Sequence, residues 1–74
     1  MTTTFNFNHG ADAARFYDAV AQDGCFERIG QKDRKVAIVA TNTEQVERLA
    51  KYKTLAKRKF AVVTILDLTG DFTA

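Results

Sequence analysis

The run Phe60-Ala61-Val62-Val63-Thr64-Ile65-Leu66-Asp67-Leu68 decides how this chain folds. It is the longest β-branched, apolar stretch in the sequence, and alternate residues of a strand point to opposite faces. Phe60, Val62, Thr64, Leu66 and Leu68 make one face; Ala61, Val63, Ile65 and Asp67 make the other. Both are largely hydrophobic, so the strand needs cover on two sides and the rest of a small domain is expected to surround it.

Working backward from that strand, residues 42–59 read as a helix. Asn42 or Thr43 can cap it, and Gln45 is placed for a capping box if Asn42 is the cap. Glu44 and Glu47 lie in its first turns and Lys57, Arg58 and Lys59 at its end, both favourable to the helix dipole. Glu44–Arg48 and Glu47–Lys51 are spaced as i,i+4 ion pairs. Val46, Leu49, Ala50 and Ala56 supply the expected inward stripe. Lys35 to Thr41 is a further strand, apolar on both faces. A polar turn, Gly30-Gln31-Lys32-Asp33-Arg34, joins it to a short strand at Cys25–Ile29.

Before that, Ala13, Phe16, Tyr17 and Val20 recur at helical spacing between Ala11 and about Gln22. Asn8 can cap this helix, Gly10 eases the turn into it, and Gly24 is a natural stop. Thr3 to Asn8 alternates, with Phe5 and Phe7 on one face and Thr4, Asn6 and Asn8 on the other, as a half-buried strand does. Thr69 to Ala74 is expected to be a frayed end.

The order strand, helix, strand, strand, helix, strand predicts one α+β domain over residues 1–74. Its most economical form is the split βαβ, or ferredoxin-like, sandwich: four antiparallel strands with both helices on one face. Right-handed crossovers then put the first and third strands in the centre and the fourth at an edge.

A domain of this size buries only about 60% of its unfolded surface, so it depends on good packing or on association. Disulfides cannot help, since Cys25 is the only cysteine, and with one histidine no metal staple is implied. A single cysteine suits a reducing compartment. Met1 to Asn8 lacks the basic and apolar regions of a signal peptide, and the longest apolar runs are far short of the roughly 20 residues of a membrane span. A cytoplasmic protein without a membrane partner is expected.

Catalytic chemistry finds little support. The chain has no serine, which removes the serine nucleophile. His9 and Cys25 are the only residues that could form a nucleophile–base dyad, yet the expected topology sets them at opposite ends of parallel strands. Asp67 is the one charge within a hydrophobic strand, which fits either a carboxyl of raised pKa or a charge guarding a sheet edge. No metal-ligand spacing occurs, and the four glycines stand alone at turns, so no phosphate loop and no cofactor are implied. An RNA-recognition domain shares this strand order but stacks bases on aromatics of its central strands. Here the outward positions of the first strand are Thr4, Asn6 and Asn8, and the third strand has no aromatic.

Charge and surface carry the functional expectation. Nine of the eleven basic side chains lie between residues 32 and 59, although the net charge is only +2. The topology brings Lys32, Arg34 and Lys35 of the hairpin to the same pole as Lys57, Arg58 and Lys59. The first helix begins beside them at Asn8, His9 and Gly10, and His9 joins the six as a seventh expected binding residue. The open face of the sheet should also carry apolar surface that a monomer would leave wet. Together these point to a small non-enzymatic protein-binding module, an adaptor, regulator or inhibitor of the size that phages and mobile elements encode. It would dock an acidic protein surface through the basic pole, or pair with a second copy through the sheet face. The alternative is nucleic-acid binding through the same pole without base stacking.

Overall fold

The computed structural model describes residues 2–68. Six elements follow in the expected order: β1 (Thr2–Phe7), α1 (Gly10–Asp23), β2 (Arg28–Lys32), β3 (Lys35–Val39), α2 (Thr43–Lys59) and β4 (Val62–Leu68). The strands form one sheet of order β2-β3-β1-β4, every neighbouring pair antiparallel. This is the ferredoxin-like arrangement, with β1 and β3 central and β4 at an edge. The expected frayed segment, Thr69 to Ala74, lies outside the described residues. No helix among the described residues is long and apolar enough to cross a membrane.

Both helices cover the same sheet face, where Phe5 and Phe7 of β1 and Val36 and Ile38 of β3 meet Ala13, Phe16 and Val20 of α1 and Leu49 and Ala56 of α2. Phe16 is the centre of that layer. Its ring lies 4.7 Å from Phe5, 5.3 Å from Phe7, 6.1 Å from Tyr52 and 5.5 Å from Phe60, centroid to centroid. Such tilted and edge-on contacts are the favoured geometries of aromatic pairs.

Four local differences from the sequence expectation matter for the surface. First, β2 is Arg28–Lys32 rather than Cys25–Ile29, and the turn shrinks to Asp33-Arg34. Cys25 and Phe26 are used instead to seat the connection after α1. Phe26 is buried against Tyr52, and the Cys25 carbonyl accepts a hydrogen bond from Gln45 Nε2 at 3.0 Å. Asp33 then takes a left-handed φ of 56°, which a two-residue hairpin turn asks of its first central residue and which aspartate tolerates.

Second, α2 is rotated from its expected face. Asn42 caps it as anticipated, accepting from Gln45 N at 2.8 Å. The Gln45 side chain goes beyond a capping box: its Oε1 accepts from Thr41 N and Thr41 Oγ1 while its Nε2 donates to Cys25 O. Holding Gln45 at 6% exposure fixes the stripe as Gln45, Leu49, Tyr52 and Ala56, and leaves Val46 at 40% exposure and Ala50 exposed. The first helix is capped by the backbone of His9, not by Asn8, and no side chain serves there.

Third, the two expected helical ion pairs are replaced. Among the described residues the ion pairs are Arg15–Asp12, Arg48–Asp23 and Lys53–Asp67. Asp23 ends α1, where the helix dipole disfavours a negative charge. Arg48 at 3.1 Å and the Tyr52 hydroxyl, donating at 2.7 Å, offset this. Burial first, and the Asp23 carboxylate second, push the Tyr52 phenol up to about 12.

Fourth, β4 does not keep strict alternation. A register shift opposite Asn6 and Phe7 lets both Val62 and Ile65 pack toward the core and leaves Val63 at 55% exposure. Asp67 therefore faces the helix side, opposite Thr3. It accepts from Lys53 Nζ at 2.7 Å and from the buried Thr3 Oγ1 at 2.6 Å. Lys53, then Thr3, hold its carboxyl below the usual range, so the raised pKa considered from sequence is reversed. The carboxylate ties the edge strand to α2.

A carboxylate with a depressed folded pKa contributes stability above its unfolded value, near 3.9, and loses it as pH falls through the folded one. Asp67→Asn should lower stability by roughly 0.5–1 kcal/mol at neutral pH, allowing for solvent screening. The difference from wild type should fade in urea melts below about pH 4.

Candidate binding surface

The sheet has a covered face and an open one, and the registers assign the paired strand residues to one or the other. Away from the helices lie Thr2, Thr4 and Asn6 of β1, Arg28, Gly30 and Lys32 of β2, Lys35, Ala37 and Val39 of β3, and Thr64 and Leu66 of β4. This face is less apolar than expected, because the larger side chains of β3, Val36 and Ile38, turn to the core. Leu66, 56% exposed, with Ala37 and Val39 supplies its apolar part, and a polar spine of Thr2, Thr4 and Asn6 runs between them. Asn6 Nδ2 donates to Thr64 Oγ1 at 2.9 Å along that spine. Its charges are Arg28, Lys32 and Lys35. No acid lies on this face among the described residues.

At the hairpin end a cleft of about 500 Å³ is lined by Asn6, Phe7, Asn8, Lys32, Asp33, Arg34, Lys35 and Val63. The Phe7 N–H donates to Arg34 O at 2.8 Å and closes its floor. A shallower hollow of about 360 Å³ lies further along the open face over Thr4, Gly30 and Ala37, and shares Lys32 and Lys35 with the cleft. Three of the seven residues expected to bind, Lys32, Arg34 and Lys35, are thus brought together. Lys57, Arg58 and Lys59 are exposed at the same end, since α2 finishes just before Val62, the partner of Phe7. They line neither concavity. His9 is exposed at the start of α1, where its carbonyl accepts from Asp12 N and Ala13 N; it does not line the cleft either. Asn8, which the sequence sets beside the basic pole, lines the cleft, as does Asn6, and Gly30 lines the hollow; the last two are absent from the sequence reading of the site. The outward alternation of the first strand was the available signal for Asn6.

Electrostatically this end is unbalanced. None of Lys32, Arg34, Lys35, Lys57, Arg58 or Lys59 takes part in an ion pair among the described residues, whereas Arg15, Arg48 and Lys53 do. Lys32 and Lys35 also sit directly opposite each other across β2 and β3, a like-charge placement that opposes pairing. Asp33 is the one acid lining the cleft.

The residues considered for catalysis are kept apart. His9 and Cys25 flank the 14-residue α1, a span of about 20 Å at 1.5 Å per residue. Cys25 lies on the α1–β2 loop rather than on a strand, half-buried against the core. No group of three or more His, Cys, Asp or Glu that could hold a metal occurs among the described residues.

Two outcomes are expected. Lys35→Glu should raise the urea midpoint, by roughly 0.5 kcal/mol in stability, by turning a like-charge pair into an opposite one. An unchanged or lowered midpoint would show that the two lysines do not oppose folding. Cys25→Ala should shift stability by about 1 kcal/mol and leave partner binding intact, as fits a packing role.

Compared with known proteins, the chain matches no family model, no curated protein and no solved structure.

Proposed function

We propose that this protein is a small non-enzymatic binding module, working in the cytoplasm, that docks an acidic surface of a larger protein partner. The observation that carries this reading is the sorting of charge. Among the described residues three cations are taken up by ion pairs on the helical side, while the six at the hairpin and the end of α2 have none, nor do Arg28 of β2 and Lys51 of α2. The end of α2 has a local reason to be basic, its dipole. The hairpin has no helix dipole to answer, and although charge suits the edge strand β2, it holds two lysines against each other. Charges disposed in this way raise association rates with an oppositely charged partner.

A second copy fits the open face poorly. Isologous contact would set Arg28, Lys32 and Lys35 against a surface of the same sign. Single-stranded nucleic acid is less suited than protein, because the described phenylalanines and Tyr52 pack on the core side and none is offered for base stacking.

The test begins with capture of a partner from nuclease-treated host lysate. Association rates are then measured for wild type, for Lys57→Glu/Arg58→Glu/Lys59→Glu and for Lys32→Glu/Arg34→Glu/Lys35→Glu. Each triple change should slow association by about tenfold or more, as should added salt. Binding that ignores both mutations and salt would remove the basic end from the mechanism. A steep logarithmic salt slope that the mutations flatten, with capture lost to nuclease, would reassign the surface to nucleic acid.

A further inference from the structure

We propose, building on the acidic-partner reading, that the hollow at Gly30 on the open sheet face is the seat of a carboxylate side chain from that partner. Gly30 occupies the middle of β2 directly opposite Ala37, so two of the smallest residues face each other there. Arg28 and Lys32 flank Gly30 on the same face of β2, two residues away on either side, and Lys35 stands across from Lys32. Lys32 and Lys35 thus line a shallow floor with Arg28 just beyond it on the same face, and none of the three has an ion-pair partner among the described residues.

The fold does not ask for glycine here. Its φ lies outside the left-handed region, and a Cβ built on it meets nothing within 4 Å. Glycine within a strand weakens it and often marks a place where another chain approaches closely. The opposed lysines beside it are a second locally unfavourable choice, and such choices gather at functional sites.

The occupant is argued from charge and from what lies next to the hollow. Three cations without an acid on the same face call for an anion. Val39, Ala37 and the exposed Leu66 share the face and suit the apolar side chains that surround a charged contact in a protein interface. A single nucleic-acid strand would bind here by its phosphates alone, without the added affinity of base stacking, since the face offers no ring among the described residues.

The experiment is an NMR titration of the isotope-labelled protein. The probes are a terminally blocked dodecapeptide of alternating Glu and Leu, its Gln–Leu counterpart, and a dodecamer of oligothymidylate. The acidic peptide should shift the amides of Thr4, Gly30 and Ala37, and the Gln peptide should leave them in place. Gly30→Leu, which fills the hollow, should weaken acidic-peptide binding by about tenfold while the spectrum stays dispersed. Gly30→Val, better suited to a strand, serves equally should the leucine disturb folding. Shifts confined to Lys57, Arg58 and Lys59 would overturn the hollow yet leave the basic end as the interface. Tighter binding of the oligonucleotide, untouched by filling the hollow, would overturn the protein carboxylate as occupant. No shift with the acidic peptide or with the oligonucleotide would overturn this seat and the acidic-partner reading together.

Discussion

Phe16 projects from the middle of α1 into a ring of four other aromatics, and the whole architecture depends on its being accommodated there. Phe5 and Phe7 bring β1, Tyr52 brings α2, and Phe60 brings the segment that leads into β4. One side chain therefore joins parts of the chain more than forty residues apart. A domain with so little interior gains most from burying its largest rings together. The consequence lies on the other side of the sheet. With the rings drawn to one layer, the opposite face has no aromatic among its described residues, and threonine, asparagine and basic residues can stand there at little cost to the core.

The helical side is then closed by polar latches, and these determine where charge is left over. Asp23 binds Arg48 and Tyr52 and so joins the end of α1 to α2. Gln45 joins the start of α2 to the Cys25 carbonyl. Asp67 joins β4 to Lys53 of α2 and to Thr3 of β1. Each latch places an acid or an amide where a helix end or sheet edge would otherwise be loose. Asp12, Asp23 and Asp67 all find cations on this side. The remaining cations at the hairpin face solvent, and the positive surface is as much a result of how the acids are used as of where the lysines are.

How far this could be read from the sequence depended on whether a residue's role was local. The order of elements, the inward Phe5, Phe7, Phe16 and Val20, the Asn42 cap and the Gly24 stop all follow from periodicity and end chemistry within a few residues. The burial of Gln45 is invisible to sequence because it rests on a carbonyl twenty residues away, and Val46 reads as inward because hydropathy carries no knowledge of that bond. The irregularity in β4 is likewise set by pairing with β1. The basic residues of the candidate site were visible as a cluster. The concavities between them were not, since a hollow is made by absent side chains and by neighbours on another strand.

The misplaced boundary of β2 is where fold and surface meet. A five-residue turn at residues 30–34 would have left Gly30 and Lys32 without a face, free to point anywhere. The actual turn has two residues, and the Phe7–Arg34 hydrogen bond anchors it against the end of β1. Strand alternation then has no freedom left: Arg28, Gly30 and Lys32 must share the face of Lys35, Ala37 and Val39. A slip of one residue would turn Ile29 outward and the cations inward, which the core forbids. The left-handed Asp33 is what permits so short a turn. Core packing on one side of the sheet therefore dictates, through a single tight hairpin, that the cations gather around a glycine on the other.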